Sequence, residues 1–181
     1  MKERVAAAST MELRDGRRVT IRRLSEQDRT NLQLFGMSLP TDDLLYLEDD
    51  FQSPEIITRL INAHAAENWR QIVAVLDDGT IAGYSALRRL PGWSSHVGDI
   101  RLLVGSEWRR SGLGVGLARA IVESAPDLGL SKLMVDMIAE QSSGRAIFER
   151  LGFRIEGTLI DHVRDRQGMP HNLLVMAITM R

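Results

Sequence analysis

The chain lacks cysteine, and this absence excludes disulfides, thiolate metal sites and a cysteine nucleophile. It also lacks an excess of either charge: 23 basic and 24 acidic residues give a formal net charge of −1, so no overall field favours nucleic acid or an anionic membrane. No apolar run approaches the length of a membrane span, and the first residues contain no signal-peptide core. We therefore expect a cytoplasmic protein that binds neither nucleic acid nor a membrane.

The composition that remains is that of a globular domain, with 44% hydrophobic and 26% charged residues in a chain of 181. This length allows one domain with a sizeable core. Residues 1–11 carry no hydrophobic period and are predicted to form a flexible leader. Residues 12–181 are predicted to form the single domain.

The segment 104–125 joins a predicted strand to a predicted helix. The strand, residues 96–104, is rich in aliphatic side chains, and apolar residues recur at helical spacing in the second half of the segment. Two arginines and three glycines lie between the two elements: Arg109, Arg110, Gly112, Gly114 and Gly116. A helix N-terminus presents unpaired N–H groups, glycines permit close approach, and arginines add charge. The segment therefore predicts a pyrophosphate site.

Three kinds of phosphate loop can be compared with this segment. A Walker loop needs a lysine after its last glycine, and none is present here. A dinucleotide-binding fingerprint needs a third glycine where Leu117 stands, and it normally opens a repeating βαβ unit that is missing from the pattern. The remaining pattern, R-x-x-G-x-G at residues 109–114 after Trp108, resembles motif A of the GNAT superfamily of acyl-CoA-dependent N-acyltransferases. An ordinary glycine-rich turn stays open as the alternative.

A second segment carries the same resemblance. Residues 142–153, S-S-G-R-A-I-F-E-R-L-G-F, resemble the family's A-x-x-x-Y-E-K-L-G-F segment, in which Gly152 would end the helix. The resemblance extends over residues 19–180. Residues 13–24 and the helix predicted after them also resemble the opening of the bacterial protein-lysine acetyltransferases of this superfamily.

The resemblance implies an α+β fold of three layers, in which a mixed, mostly antiparallel sheet of six or seven strands is flanked by helices. A hairpin of residues 71–76 and 81–90 agrees with it, as does a strand at 132–138 that follows a helical crossover and should run parallel to the strand before the glycine loop. By resemblance, these two parallel strands splay apart beyond a bulge near Val104 and admit the acyl-CoA arm. The charged residues 161–166 are predicted to form a loop.

The resemblance also implies acetyl-CoA as co-substrate, without a metal. The backbone N–H of Val104 would polarise the acetyl carbonyl, and the backbone of Leu102 and Leu103 would hold the pantetheine, with Gln141 as a further hydrogen-bonding partner. The pyrophosphate is assigned to Arg109, Arg110, Ser111, Gly112, Leu113, Gly114 and Val115. Ser111 is interpreted as a hydrogen-bonding residue of this loop, because no His–Asp pair that could activate it as a nucleophile is visible nearby.

Asp99 is the predicted general base. Strand alternation puts Asp99, Arg101 and Leu103 on one face, and a carboxylate within an apolar strand is costly unless it is exposed or paired. Enzymes of the family often carry an acid near this position. A structural carboxylate paired with Arg101 is the open alternative, and Asp136 on the neighbouring strand is the second candidate for the base.

One position departs from the family pattern, because Phe148 stands where a tyrosine usually protonates the leaving thiolate. Two functions therefore stay open. The first is an acetyltransferase for a protein lysine or a small cationic amine, with a homodimer as one option for its assembly. The second is a catalytically degenerate acyl-CoA-binding module that senses and does not transfer. The acidic residues that could attract a cationic acceptor, or simply form a solvated loop, are Asp42, Asp43, Glu48, Asp49 and Asp50.

Overall fold

The computed structural model describes residues 8–47 and 49–180, in which eight strands form one sheet with helices on both faces. The strands are β1 (Ser9–Glu12), β2 (Arg18–Arg23), β3 (Trp69–Val75), β4 (Ile81–Arg89), β5 (Val97–Val104), β6 (Lys132–Ile138), β7 (Arg154–Arg164) and β8 (Pro170–Thr179). The helices are α1 (Arg29–Ser38), α2 (Pro54–Asn62), α3 (Leu113–Glu123) and α4 (Ser142–Arg150). The predicted three-layer α+β fold is confirmed.

The sheet has one strand more than the six or seven predicted. The additional strand is β1, which lies at one edge of the sheet. It pairs antiparallel with β2 from Ser9↔Ile21 to Glu12↔Arg18. Residues 9–11 therefore form this strand, where a flexible leader was predicted, because backbone pairing needs no hydrophobic period in so short a segment. Residues 1–7 of the predicted leader, and Glu48 of the acidic loop, lie outside the described residues.

The charged stretch 161–166 was predicted to be a loop, but β7 continues through it to Arg164. The pairing of β7 with β8 shifts register between Leu159 and Val163, and Asp161 has a φ of 50°. An irregular pairing of this kind interrupts the alternation of side chains, which is why the strand is not visible in the sequence pattern.

Neighbouring strands in the order β1-β2-β3-β4-β5-β6-β8-β7 are antiparallel except β5 and β6. The sheet separates two apolar clusters, and we name its faces after the helices that cover them. The α3–α4 face buries, among others, Leu87, Ile100, Leu113, Leu117, Ile121, Leu133 and Phe148. The α1–α2 face buries, among others, Leu32, Phe35, Ile57, Leu60, Val73, Tyr84 and Leu103.

The parallel pair β5–β6 is confirmed, but it opens earlier than predicted. Pairing runs only from Val97↔Lys132 to Asp99↔Met134, after which β5 stays with β4 and β6 stays with β8. The register of β4 with β5 is continuous as far as Gly83↔Val104, so no bulge near Val104 causes the opening. Each strand instead follows the twist of its remaining partner, and a gap opens between them.

Within residues 8–47 and 49–180, no helix is long and apolar enough to cross a membrane.

Candidate functional site

A cavity of about 380 Å³ lies where β5 and β6 diverge. Its walls come mainly from the second halves of these two strands, from α4, and from segments that reach over the α1–α2 face. The residues that line it are Leu47, Asp49, Phe51, Trp69, Tyr84, Ala86, Ile100, Arg101, Leu102, Leu103, Val135, Asp136, Met137, Ile138, Gln141, Gly144, Phe148, His162, Val163 and Leu173.

The cavity has walls on both faces of the sheet. Ile100 and Phe148 belong to the cluster of the α3–α4 face, whereas Tyr84 and Leu103 belong to that of the α1–α2 face, and all four line the cavity. Strand alternation accounts for this, because successive residues of β5 point to opposite faces. Two molecules that enter from opposite sides of the sheet could therefore meet in the gap.

The predicted phosphate loop connects β5 to α3 with an unusual backbone. Arg110 has a φ of 60°, and Gly112, the residue before α3, has a φ of 92°. A Cβ placed at Gly112 would make only ordinary van der Waals contacts, 3.8 Å to the Met11 Cε and 3.9 Å to the Arg14 Nε, so no neighbouring atom clashes with this position. With the first N–H groups of α3 beside it, this position fits a pyrophosphate group.

Ser111 is buried and holds this loop together. Its hydroxyl donates to the Trp108 carbonyl oxygen at 2.5 Å, and the Leu113 N–H lies 3.4 Å from the same hydroxyl oxygen. The side chain is 5% exposed, so its role is to shape the loop from within.

The other two glycines of the loop serve packing. A Cβ at Gly114 would lie 2.7 Å from the Ile147 Cδ1 of α4, and a Cβ at Gly116 would overlap the Met11 side chain. The sequence pattern assigned close ligand approach to all three glycines. The structure leaves room for a Cβ at Gly112 alone among them, because neighbouring side chains occupy the space at the other two.

Arg109 forms an ion pair with Asp43, which belongs to the 3₁₀ turn Thr41–Tyr46. The sequence placed these residues in separate roles, Arg109 at the pyrophosphate and Asp43 in an acidic loop near the acceptor. Their pairing joins the phosphate loop to the segment that leads toward the cavity wall at Leu47 and Asp49.

Asp99 and Arg101 lie on the face of β5 that the alternation predicted. The Asp99 carboxylate is buried and accepts a hydrogen bond from Arg101 Nη1 at 2.8 Å. Arg101 and Asp136 line the cavity, but Asp99 is not among its lining residues. Of the two carboxylates considered for the base, Asp136 is thus the one in the cavity wall.

The cavity contains two aromatic side chains that bear on proton transfer. Phe148 is 2% exposed and meets Phe153 edge-to-face at 5.1 Å, and it has no proton to donate. Tyr84 is 1% exposed, and its hydroxyl donates to Gln71 Oε1 at 2.6 Å. Burial, together with the charge of Asp49, raises the pKa of Tyr84 far above its ordinary value, so this phenol stays protonated.

Three of the predicted acetyl-CoA contacts, Leu102, Leu103 and Gln141, line the cavity. The Gln141 side chain accepts a hydrogen bond from the Ile138 N–H at 3.2 Å, which fixes the amide at the start of α4. The predicted loop residues and Val104 are not among the residues that line it. The predicted set therefore divides into a group that lines the cavity and a group, in the loop and at Val104, that does not.

Sequence reasoning missed His162, Trp69 and Phe51 as cavity residues. They come from three separate parts of the chain, and no motif marks them. His162 also lies in the irregular part of β7 that was predicted as a loop. Only the pairing of β7 with β8 brings it to the gap.

His171 of β8 forms a small charged cluster near the start of α4. Its Nε2 lies 3.1 Å from Asp165 Oδ2, and its Nδ1 lies 3.3 Å from Glu140 Oε1. Hydrogen bonding to Asp165 and to Glu140 raises the pKa of His171, and the bond from His171 lowers the pKa of Asp165. The cluster ties the β7–β8 hairpin to the residue before Gln141.

Comparison with known proteins identifies a family for this arrangement. The model of the acetyltransferase (GNAT) family matches residues 37–153, nearly two thirds of the chain. A curated relative, the L-amino acid N-acetyltransferase AaaT of Escherichia coli (strain K12), is 27% identical over 92 residues. That match covers 49% of this chain and 56% of the relative's own length.

Solved structures share the fold. A GNAT-family acetyltransferase from Streptococcus pneumoniae has a TM-score of 0.77 at 23% identity, and the match covers 90% of this chain and 99% of that one. The GNAT domain of S. lividans PAT has a TM-score of 0.80 at 14% identity over 96% and 97% of the two chains. The structure of yncA from Salmonella typhimurium with its cofactor acetyl-CoA has a TM-score of 0.77 at 14% identity, and the match covers 90% of this chain and 94% of that one.

Proposed function

The chain belongs to the acetyltransferase (GNAT) family, and on this premise we propose that it transfers the acetyl group of acetyl-CoA to an amine. The observation that carries the proposal is the gap between β5 and β6, which opens after Asp99↔Met134 and contains the cavity. Acetyl-CoA supplies the thioester from which the acetyl group is transferred. Because β5 and β6 no longer pair with each other in the gap, their facing backbone groups can hydrogen-bond the amides of the pantetheine arm.

The coenzyme is assigned to two groups of residues. The pyrophosphate lies at the loop of Arg109, Arg110, Ser111, Gly112, Leu113, Gly114 and Val115. The pantetheine lies along Leu102, Leu103 and Gln141, and the N–H of Val104 polarises the acetyl carbonyl. Support comes from the unobstructed Cβ position at Gly112, which borders the N-terminus of α3, and from the cavity position of Leu102, Leu103 and Gln141. Within the loop, Ser111 contributes by holding the backbone in place.

Acyl transfer needs the acceptor amine in its neutral form, so a base must take its proton. Two carboxylates on the α1–α2 side of β5 and β6 can do this. The position of Asp136 in the cavity wall supports it as the base. Asp99, the residue predicted from the sequence, is bonded to Arg101 and is proposed as the residue that positions this guanidinium in the wall.

The departing thiolate has no tyrosine donor at position 148. Phe148 cannot donate a proton, and Tyr84 keeps its proton in the bond to Gln71. The thiol of coenzyme A is a good leaving group, so protonation by solvent suffices. The comparisons give no support to the alternative of a degenerate binding module, since the family and the curated relative are both described as acetyltransferases.

The acceptor is proposed to be a small amine or a lysine side chain. Two carboxylates in the cavity wall can attract a cationic amine: Asp136, and Asp49, which also pairs with Arg59. Trp69 and Phe51 provide an apolar surface for the attached carbon chain. A cavity of about 380 Å³ has room for the end of a lysine or for a whole small amine. The curated relative is named for L-amino acids, so free amino acids belong in any test panel.

The proposal is tested by release of free thiol from acetyl-CoA with a panel of lysine peptides, polyamines and free amino acids. Steady release that requires one class of amine, with mass spectrometry of the acetylated product, would establish the transferase and its acceptor class. Binding of acetyl-CoA without release in the presence of any amine would favour the sensor. No binding of acetyl-CoA at all would overturn the proposal.

A further inference from the structure

The hairpin of β1 and β2 lies directly against the proposed phosphate loop. The Arg14 N–H donates to the Ser111 carbonyl oxygen at 2.9 Å, and Arg17 Nη2 donates to the Glu107 carbonyl oxygen at 2.9 Å. These bonds join segments about ninety residues apart in sequence. The turn between β1 and β2 is therefore attached to two backbone carbonyl groups of the loop segment. One bond comes from the backbone of the turn and the other from the Arg17 side chain.

Side chains strengthen the attachment. The Arg17 guanidinium lies 3.7 Å from the centre of the Trp108 ring, and Asp15 holds it with hydrogen bonds of 2.9 and 2.7 Å. Met11 fills the space beside Gly116, where a Cβ would overlap it. The hairpin is thus held to the loop by hydrogen bonds, a cation–π contact and apolar packing, and its turn has a fixed position relative to α3.

This attachment places Arg14 beside Gly112. Its side chain is exposed, and its Nε lies 3.9 Å from the position that a Cβ of Gly112 would occupy. Among the three glycines of the loop, Gly112 is the one at which no neighbouring side chain would clash with a Cβ. In contrast with Arg17 and Arg109, Arg14 forms no ion pair with the residues that the structure describes.

We propose that Arg14 is a third phosphate-binding cation of the coenzyme site, which contacts the pyrophosphate of acetyl-CoA beside Gly112. The loop motif supplies Arg109 and Arg110, and Asp43 already pairs with the first of them. Arg14 adds a positive charge from a segment outside the motif, and Arg17 and Met11 position it. This inference rests on the proposed function, because it assigns a residue to the coenzyme of that reaction.

The test is calorimetric titration of the full chain with coenzyme A and with 3′-dephospho-coenzyme A. Arg14→Gln is expected to weaken the binding of both ligands about 10- to 100-fold at low salt, which is about 1.4 to 2.8 kcal/mol, as for loss of a charge-assisted contact. The loss should shrink at high salt, because an exposed contact is screened. The control is Arg18→Gln, which changes a neighbouring exposed arginine, the first residue of β2. It should leave both affinities unchanged.

The remaining outcomes distinguish a failure of the coenzyme assignment from a failure of the assignment of Arg14. If wild-type chain binds neither ligand, the coenzyme assignment itself fails. If it binds both and Arg14→Gln binds them equally well, the inference on Arg14 is overturned while the proposed function stands. If the loss appears only with coenzyme A, Arg14 contacts the 3′-phosphate, and the pyrophosphate assignment is overturned. Circular dichroism of each variant verifies that the fold is intact.

Discussion

The two faces of the sheet differ in how their functional residues are distributed along the chain. On the α3–α4 side, the loop and the start of α3 come from one continuous stretch, and their chemistry is largely that of backbone N–H groups. On the α1–α2 side, the cavity wall combines Asp49, Trp69, Tyr84, Arg101 and Asp136 from five separate segments. The proposed pyrophosphate site thus rests mainly on local structure, with Arg14 as its contact from a distant segment, whereas the proposed acceptor side depends on long-range packing.

The largest expected effect belongs to the acceptor side. Asp136→Asn should lower turnover by roughly 10² to 10⁴ at neutral pH, because the amine then loses its base, while acetyl-CoA affinity changes little. The loss should diminish at alkaline pH, where the acceptor amine is already largely neutral. Turnover over a range of pH and calorimetric titration of acetyl-CoA together measure this separation.

Asp99→Asn is the matched variant for that experiment. It changes the same chemical group on the adjacent strand, but its carboxylate supports Arg101 and does not line the cavity. We expect a loss of about tenfold, with little dependence on pH, for a positioning role. A larger, pH-dependent loss in Asp99→Asn than in Asp136→Asn would return the base to the residue that the sequence predicted.

The next effect belongs to the loop side. Gly112→Asp should weaken acetyl-CoA binding by about 2 to 4 kcal/mol, since it adds a negative charge beside the pyrophosphate. The control is Gly168→Asp, which places the same side chain at a φ of 82°, close to the 92° of Gly112, in the turn between β7 and β8. It shares the backbone strain without the added charge at the loop, so equal loss of affinity in both variants would refute the assignment.

The same contrast explains how far the sequence could predict this protein. The glycine loop between β5 and α3, the antiparallel strands β3 to β5, the parallel pairing of β5 with β6 and the alternation of Asp99 and Arg101 follow from local patterns, and the structure has them. That this loop binds a phosphate stays a prediction. The place where β5 and β6 separate was missed, because it depends on which outer partners each strand retains. His162 was missed because the irregular pairing of β7 leaves no alternation to detect.

A third prediction addresses the ion pair that joins the two sides. Asp43→Asn should raise acetyl-CoA affinity about two- to fivefold, because Arg109 then no longer divides its charge between a carboxylate and the pyrophosphate. The effect is modest, since partly exposed ion pairs contribute about 0 to 1 kcal/mol. Asp42→Asn, in the same turn, is the control. A fall in affinity would mean that Asp43 orders Arg109 for binding and does not compete with the coenzyme.

The smallest effect concerns the tie between the β7–β8 hairpin and the start of α4. The folded pKa of His171 is raised by Asp165 and Glu140, so the stability it contributes is full below the unfolded pKa of about 6.5 and is lost as pH rises through the folded value. The pKa of Asp165 is lowered, so its contribution is lost at acid pH. A double-mutant cycle of His171→Gln and Asp165→Asn, measured by urea unfolding, should therefore give a larger coupling at pH 6 than at pH 8.5. Equal coupling at the two pH values would mean that the contact stabilises the hairpin through packing or a neutral hydrogen bond, and the charge of His171 would then have no part in joining the acceptor side to Gln141.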